Sequence, residues 1–208
     1  MSLVSIIIPY YKKEAFIKKT INSILKQTYS EFEIIIINDE GSLVSEKILE
    51  NLKVLDKRII LIKNKHNLGA GYSRNEGIKI AKGKYLAFCD ADDIWNEYKL
   101  EKQINFMVNS DVRFCFTAYS IIDKNDNIIG TRKAISQLSY KNLLRSCDIG
   151  LSTVILEKKV IEDLKVYFPN TKTKEDYIVW LMLAKKGVKI SGFTENLSSW
   201  RKLKNSLS

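Results

Sequence analysis

The stretch of sequence that decides the fold is Tyr85-Leu86-Ala87-Phe88-Cys89-Asp90-Ala91-Asp92-Asp93. Its first five residues are hydrophobic, which is typical of a short strand buried on both faces. Three carboxylates follow within four positions, so they stand at the carboxyl end of the predicted strand. In open α/β sheets, ligands bind outside the carboxyl ends of the strands. We therefore expect a ligand site at this point of the chain.

The crowding of Asp90, Asp92 and Asp93 is electrostatically unfavourable, because neighbouring carboxylates raise one another's pKa and repel unless a cation offsets them. Their hard oxygen atoms suit Mg²⁺ or Mn²⁺. An ion held by one or two of these carboxylates could bridge a diphosphate and neutralise the negative charge that develops as the diphosphate leaves. A solvated turn whose aspartates cap the helix after Trp95 explains the same residues. Both interpretations stay open on this stretch alone.

Upstream, apolar strands alternate with segments of helical periodicity. The predicted strands are 4–8, closed by Pro9, then 32–37 and 58–62, and the predicted helices are 16–25, 43–55 and 72–81. Clusters of turn-forming residues and a glycine-containing loop at 67–71 separate them. This alternation predicts an α/β fold with a mostly parallel sheet flanked by helices.

Downstream, the pattern is looser, and we expect the sheet to become mixed. The predicted elements are helices near 99–108, 140–145 and 176–186, strands within 113–122 and a turn at 124–127. The chain has 208 residues, no internal repeat and no segment with the composition of a linker. These properties predict a single domain.

The composition limits the classes of protein to which the chain can belong. No run approaches the roughly 18 apolar residues of a membrane span, and the N-terminus lacks the layout of a signal peptide, which predicts a cytoplasmic protein. The three cysteines and the single histidine, His66, are too dispersed for a disulfide framework, a zinc site or a hydrolase triad. The net charge of +10 suits an anionic partner: a nucleic acid, an acidic membrane surface or a phosphorylated substrate.

Six motifs occur in order along nearly the whole chain. They are Ser5-Ile6-Ile7-Ile8-Pro9-Tyr10-Tyr11, Gln27-Thr28-Tyr29 with the segment 32–39, Asn67-Leu68-Gly69, Arg74-Asn75-Glu76-Gly77, the segment 83–93, and Glu175-Asp176-Tyr177. In these six motifs and their order, the chain resembles the family 2 inverting glycosyltransferases of bacterial surface-polysaccharide synthesis. The resemblance implies a single-domain GT-A fold, with a nucleotide-sugar-binding half at 1–95 and an acceptor-binding half at 96–208. It also implies a hexosyltransferase that uses a UDP-sugar.

In the first half, the resemblance assigns the nucleotide to Pro9, Tyr11, Asp39, Arg74 and Asp90, and Mg²⁺ or Mn²⁺ to Asp92 and Asp93. An aspartate at a strand end can accept from a base N–H or a ribose hydroxyl, a tyrosine ring can stack on a base, and the guanidinium fork recognises phosphate oxygens. Asp90 would lie near the ribose or support the metal. Core packing, a turn cap and a surface salt bridge are the structural alternatives for Tyr11, Asp39 and Arg74, respectively.

In the second half, Asp176 matches the family's catalytic base. An inverting transfer needs a carboxylate that takes the proton of the acceptor hydroxyl as this attacks the anomeric carbon, on the face opposite the leaving diphosphate. Glu175, Tyr177 and Trp180 would contact the acceptor, although Asp176 is also explained as a helix cap and Trp180 as a core residue. A late family motif, whose arginine lies near the diphosphate, is matched by Ser199-Trp200-Arg201 and Ser206-Leu207-Ser208.

Three features depart from the family pattern. The segment 38–42 carries an extra residue and lacks the usual final aspartate, so the register that selects Asp39 is open. Lys12 stands where asparagine is common. The chain stops just after the last motif, where relatives often continue into further helices, which favours a truncated C-terminus.

Two other functions compete with glycosyl transfer. A metal-dependent nucleotidyltransferase would use the same carboxylates, but the chain has neither a P-loop nor a GxGxxG signature, and Glu175-Asp176 would have no assigned role. A basic nucleic-acid-binding protein would explain the charge, but the acidic stretch would repel phosphates. The expected partners are therefore a UDP-sugar donor and a saccharide or lipid-linked oligosaccharide acceptor, with no nucleic acid. The positive charge adds the hypothesis of peripheral association with the inner face of the cytoplasmic membrane.

Overall fold

Strands and helices alternate through the first half of the protein and are interspersed less regularly in the second. The computed structural model describes residues 1–203, so the Ser206-Leu207-Ser208 part of the late motif lies outside the described residues. The strands are β1 (Val4–Tyr10), β2 (Phe32–Asn38), β3 (Ile59–Lys63), β4 (Tyr85–Phe88), β5 (Ile94–Trp95), β6 (Phe114–Ile122), β7 (Ile128–Arg132), β8 (Gln137–Leu138), β9 (Ile155–Glu157) and β10 (Ile190–Arg201). The helices are α1 (Ile17–Leu25), α2 (Leu43–Leu55), α3 (Ala70–Ile80), α4 (Lys99–Asn109), α5 (Tyr140–Arg145), α6 (Lys158–Leu164) and α7 (Glu175–Lys185), with a 3₁₀ turn at Leu151–Thr153.

One ten-stranded sheet runs through the described residues in the order β3-β2-β1-β4-β9-β6-β10-β5, with β7 beside β6 and β8 beside β10. The first four strands in this order are parallel to one another. Antiparallel β9 then joins β4 to β6, which is parallel to β10. The predicted single α/β domain, with parallel pairing in its first half and mixed pairing in its second, is confirmed.

The prediction that the first strand ends at Pro9 is wrong, because β1 pairs with β2 as far as Tyr10. The carbonyl of Ile7 accepts from Cys89 N. The backbone N–H and C=O groups of Ile7, and of every second residue after it in β1, therefore point toward β4. Pairing with β4 ends at the register pair Ile7 and Phe88. The missing N–H of Pro9 therefore points past the end of β4, where it breaks no hydrogen bond of the ladder.

Two hydrophobic layers cover the two faces of the sheet. Ile6 and Ile8 of β1 pack in the layer that contains α1, α2 and α4, whereas Ile7 packs in the layer that contains α3, α5, α6 and α7. This separation follows from the alternation of side chains along a strand. Among residues 1–203, no helix is long and apolar enough to cross a membrane.

Close packing of α3 fixes the elements around the carboxyl ends of the strands. A Cβ added at Gly77 would stand 2.6 Å from Cγ2 of Ile7, and one added at Gly71 would stand 2.6 Å from the carbonyl oxygen of Pro169. Only glycine allows both approaches. As a result, α3 is held against β1 on one side and against the segment that leads into α7 on the other.

Candidate active site

The segment after β4 and the first turn of α7 are joined through α3. The side chain that joins these elements is Arg74 of α3, which donates to Asp90 Oδ1 (2.9 Å) and to Glu175 Oε1 (2.5 Å). Asp90 follows β4, and Glu175 begins α7. The two motifs are 85 residues apart in the sequence (175 − 90), and the structure brings them together.

The three aspartates after β4 have different environments, and Asp93 is the innermost. It is 1% exposed, and its carboxylate accepts from Ser152 Oγ (2.5 Å) and from the backbone N–H of Arg201 (2.8 Å). Burial, followed by the charges of Asp90 and Asp92, raises the pKa of Asp93 well above its usual range. Asp93 is thus held from the protein side by Ser152 and the backbone of Arg201, and its role as a metal ligand stays a prediction.

Asp90 and Asp92 are both more exposed than Asp93. The side chain of Asp90 is 34% exposed, and its backbone N–H donates to Ser152 Oγ (3.0 Å). Asp92 is more enclosed, and its Oδ2 accepts from Lys13 Nζ at 2.5 Å. Burial raises the pKa of Asp92, and the hydrogen bond from Lys13 opposes this rise.

The described residues contain no group of three or more His, Cys, Asp or Glu side chains arranged to hold a metal ion by themselves. Mg²⁺, however, is commonly held by one or two carboxylates together with substrate phosphates rather than by a cage of protein ligands. Asp92, with Asp90 beside it, fits that second arrangement. The site therefore suits an ion that binds together with a phosphorylated substrate.

Arg201 holds the backbone of the acidic stretch in place. It is 1% exposed, and it donates from Nε to the carbonyl of Asp92 (2.8 Å) and from Nη1 to the carbonyl of Asp123 (2.7 Å). Its guanidinium lies 4.7 Å from the ring centre of Phe16. The side chain is enclosed and stabilises the backbone that carries the aspartates, and its place close to a diphosphate stays a prediction.

Arg74 is likewise enclosed, at 4% exposed, with each terminal nitrogen on a carboxylate. Burial lowers its pKa, but the charges of Asp90 and Glu175 outweigh this effect and raise it. A buried arginine between two carboxylates fixes their positions and leaves little of its own fork for a ligand. Arg74 contacts Asp90 and Glu175 in this structure, and its direct contact with a diphosphate stays a prediction.

Asp176 lies half-buried in the first turn of α7, and its Oδ1 accepts from the N–H of Tyr177 (2.7 Å). Burial raises the pKa of Asp176, and the nearby charge of Arg74 limits the rise. A carboxylate with a raised pKa is a stronger base once it is ionised. Asp176 is the second residue of α7 and does not cap it, because the N-cap position is held by Lys174 and no side chain caps this helix.

The two aromatic residues of α7 have different positions. Tyr177 is half-buried, and its hydroxyl donates to the carbonyl of Leu143 in α5. Trp180 is 0% exposed and meets Phe114 and Phe168 edge to face. The prediction that Trp180 binds an acceptor is wrong, because its ring lies in the core between the sheet and α7.

The ends of β1 and β2 form a second part of the site. Pro9 is half-buried, and Tyr11 is 44% exposed with Lys12 Nζ 5.2 Å from the centre of its ring. Asp39 directly follows β2 and is 3% exposed. Its Oδ1 accepts from Asn64 Nδ2 (2.7 Å) and Leu68 N (2.9 Å), and its Oδ2 accepts from Gly69 N (2.8 Å). Asp39 thus orders the loop before α3, and one acceptor position of Oδ2 remains.

Sequence reasoning missed Lys13, Ser152 and Asn64. Ser152 contacts both Asp90 and Asp93, but it is 59 residues from Asp93 and stands in a short turn without a motif. Asn64 follows β3 directly, and its place at a carboxyl strand end could have identified it. Lys13 lies three residues after the end of β1, so its place near a carboxyl strand end could have identified it as well.

Comparison with known proteins gives three findings. The family model described as "Glycosyl transferase family 2" matches residues 5–161. Escherichia coli WfaP, a UDP-Glc:alpha-D-GlcNAc-diphosphoundecaprenol beta-1,3-glucosyltransferase, is 41% identical over 91% of this chain and 73% of its own length. TuaG of Bacillus subtilis, named for teichuronic acid biosynthesis, is 35% identical over 99% of this chain and 81% of its own.

The fold is similar to that of solved glycosyltransferases. A crystal structure of S. aureus TarS in complex with UDP-GlcNAc matches with a TM-score of 0.83 at 21% identity, over 100% of this chain. The chain spans 60% of the length of that TarS chain. At this level of identity, the likeness establishes the GT-A fold.

Proposed function

Because the chain belongs to the glycosyl transferase family 2, we propose that it transfers a hexose or an N-acetylhexosamine from a UDP-sugar, with inversion, to a hydroxyl of a saccharide acceptor. The observation that carries this proposal is the pair of ion bridges through which Arg74 joins Asp90 to Glu175. These bridges bring the aspartates after β4 close to Asp176, as a transfer between a donor and an acceptor requires.

The donor site would extend across the ends of β1, β2 and β4, in residues 1–95. Tyr11 would stack on the uracil ring, with Pro9 beside it and Asp39 behind the loop at 64–69. Asp92 and Asp90 would hold Mg²⁺ or Mn²⁺. That ion would neutralise the charge that develops on the UDP leaving group.

Asp176 would act as the general base for the acceptor bound by residues 96–208. The acceptor oxygen attacks the anomeric carbon, the bond from that carbon to the diphosphate oxygen breaks, and the hydroxyl proton passes to Asp176. The product then has the opposite anomeric configuration. Half-burial of Asp176, with a pKa raised mainly by burial, supports this role because it favours proton acceptance.

The acceptor would be a saccharide of cell-surface polysaccharide synthesis, carried on a lipid diphosphate. This proposal rests on WfaP, whose acceptor is GlcNAc-diphosphoundecaprenol. The net charge of +10 would favour a cytoplasmic protein held at the anionic inner face of the membrane. Failure to sediment with anionic vesicles at low salt would argue against that location.

The test is a transfer assay with radiolabelled UDP-glucose, UDP-galactose and UDP-N-acetylglucosamine, offered with GlcNAc-diphosphoundecaprenol or a short-chain analogue. We expect label in the lipid product, release of UDP, a β linkage by NMR, and loss of transfer in Asp176→Asn. Release of pyrophosphate instead of UDP would favour a nucleotidyltransferase. Absence of turnover with every donor, in a protein that binds none of them, would overturn the proposal.

A further inference from the structure

Lys13 forms the closest cation contact of the acidic stretch. Its Nζ lies 2.5 Å from Oδ2 of Asp92, and the two side chains are 28% and 9% exposed. Asp92 thus lies mostly inside the protein, and the lysine is the more exposed partner of the pair.

The backbone around Lys13 is fixed, and its side chain is the part that can move. Lys13 lies in the turn between β1 and α1, where its carbonyl accepts from the N–H groups of Phe16 and Ile17. The preceding residue, Lys12, has a left-handed backbone with φ of 51°. A lysine on a rigid turn carries a flexible stem and three donors, so its ammonium can exchange one anionic partner for another nearby.

The position of Lys13 suits the phosphates of a nucleotide diphosphate. Tyr11, two residues earlier, stands open where the base would stack, and Asp92 stands where the metal would bind. In a nucleoside diphosphate, the phosphates follow the base and ribose. A cation between Tyr11 and Asp92 therefore lies where phosphate oxygens would pass.

We propose that Lys13 is a diphosphate-binding residue that exchanges partners: it neutralises Asp92 in the free protein and moves to the donor phosphates when a divalent ion takes the Asp92 oxygen. This inference rests on the proposed function. An ammonium 2.5 Å from Asp92 Oδ2 repels a divalent ion at the same carboxylate, so the two cations compete for Asp92. Once displaced, the ammonium would lie beside the diphosphate that arrives with the ion, where lysine acts as a point charge.

The competition makes two measurements respond in opposite directions to Lys13→Met. Mn²⁺ alone, followed by electron paramagnetic resonance, should bind about two- to fivefold more tightly, because a partly exposed ion pair no longer opposes it. UDP at saturating Mn²⁺, followed by calorimetry, should bind about tenfold more weakly, because a charge-assisted phosphate contact is lost. Lys13→Arg should retain most of the UDP affinity.

A matched control is Lys19→Met, which removes the same charge from the helix that follows. Lys19 is 2.6 Å from Asp126 rather than from the acidic stretch, and its side chain is 57% exposed. This variant should leave both affinities unchanged, so it measures the effect of net charge alone. Thermal unfolding of each variant verifies that the protein is folded.

Opposite shifts in Lys13→Met, without shifts in Lys19→Met, would support the inference. Unchanged affinities, or a loss of both Mn²⁺ and UDP binding, would reduce the contact between Lys13 and Asp92 to a structural ion pair and overturn the inference alone. Failure of the wild-type protein to bind either Mn²⁺ or UDP would overturn the proposed function and this inference with it.

Discussion

Burial separates the aspartates after β4 into residues that face the site and one that supports it. Asp93 is enclosed by Ser152 and the backbone of Arg201, whereas the side chains of Asp92 and Asp90 are 9% and 34% exposed. A motif in the sequence does not distinguish these environments. It is the 3₁₀ turn that carries Ser152 and the end of β10 that set them.

This difference predicts a loss of stability in Asp93→Ala and a loss of metal binding in Asp92→Ala. Removal of the Asp93 carboxylate leaves Ser152 Oγ and the N–H of Arg201 without their acceptor, so the free energy of unfolding should fall by about 1–3 kcal/mol. Asp92→Ala should lose Mn²⁺ binding and change stability less. Urea denaturation and Mn²⁺ titration of both variants check this, and a stable Asp93→Ala would show that the enclosed carboxylate is dispensable.

A pH dependence follows from the position of Asp176. It must be ionised to accept a proton, and burial raises its pKa above the ordinary 3.8, so the acidic limb of kcat/KM should lie above that value. The charge of Arg74 lowers the pKa of Asp176, so Arg74→Met should move the limb to higher pH. A limb that stays in place or moves to lower pH would remove Asp176 as the titrating base. Asp176→Asn shows the effect of removing the base itself, and its kcat should be about 10²- to 10⁴-fold below that of the wild type.

At the scale of elements, α3 positions the segment that leads into α7. Asn75 Nδ2 donates to the carbonyl of Phe168 (2.8 Å), and Phe168 N donates back to Asn75 Oδ1 (3.0 Å). With the close approach of Gly71 to Pro169 and the ion pair between Arg74 and Glu175, this contact makes α3 the support of the acceptor side.

Gly71→Ala should therefore lower the transfer rate while UDP affinity stays near that of the wild type. The new Cβ would stand 2.6 Å from the carbonyl oxygen of Pro169, so the segment before Asp176 must shift, and small shifts of a catalytic base are costly. Gly130→Ala is the matched control, since its nearest atom would be 3.5 Å away. Steady-state kinetics with calorimetry test this, and equal activity in both variants would refute the role given to α3.

The elements that sequence patterns predicted well are those with continuous apolar runs or clear helical spacing, such as β2, β4 and α5. The patterns did not predict β10, because polar residues such as Ser191, Glu195 and Ser198 interrupt it; its conformation follows from pairing with β6. The site residues likewise include some that sequence patterns predict and some that they do not. Motifs located the aspartates, but Lys13 and Arg201 reach them from 79 and 108 residues away, through contacts that no local spacing records.

At the scale of the whole molecule, the buried ammonium of Lys99 affects stability. Lys99 is 0% exposed, with Nζ 2.5 Å from Gln103 Oε1 and 4.4 Å from the ring centre of Trp95. Burial lowers the pKa of Lys99 to about 7, from 10.5. Between these values the unfolded chain binds more protons at this position than the folded protein, so Lys99 makes the free energy of unfolding rise with pH.

Lys99→Met should be more stable than the wild type below pH 7, and this advantage should shrink as the pH approaches about 10, where the lysine is neutral in both states. The difference between the two proteins isolates Lys99 from the other titrating groups. Urea denaturation at about pH 6 and about pH 9.5 measures it. A difference that is the same at both pH values would mean that Lys99 does not titrate in this range.

The central claim for the whole molecule is that a UDP-sugar binds across the carboxyl ends of β1, β2 and β4 with a metal at Asp92. Calorimetric titration of UDP in Mn²⁺ and then in EDTA, with the wild type and Asp92→Ala, tests it most directly. The account predicts binding in Mn²⁺ that EDTA abolishes and that Asp92→Ala removes. UDP binding that is equally strong in EDTA, or that survives Asp92→Ala unchanged, would contradict it.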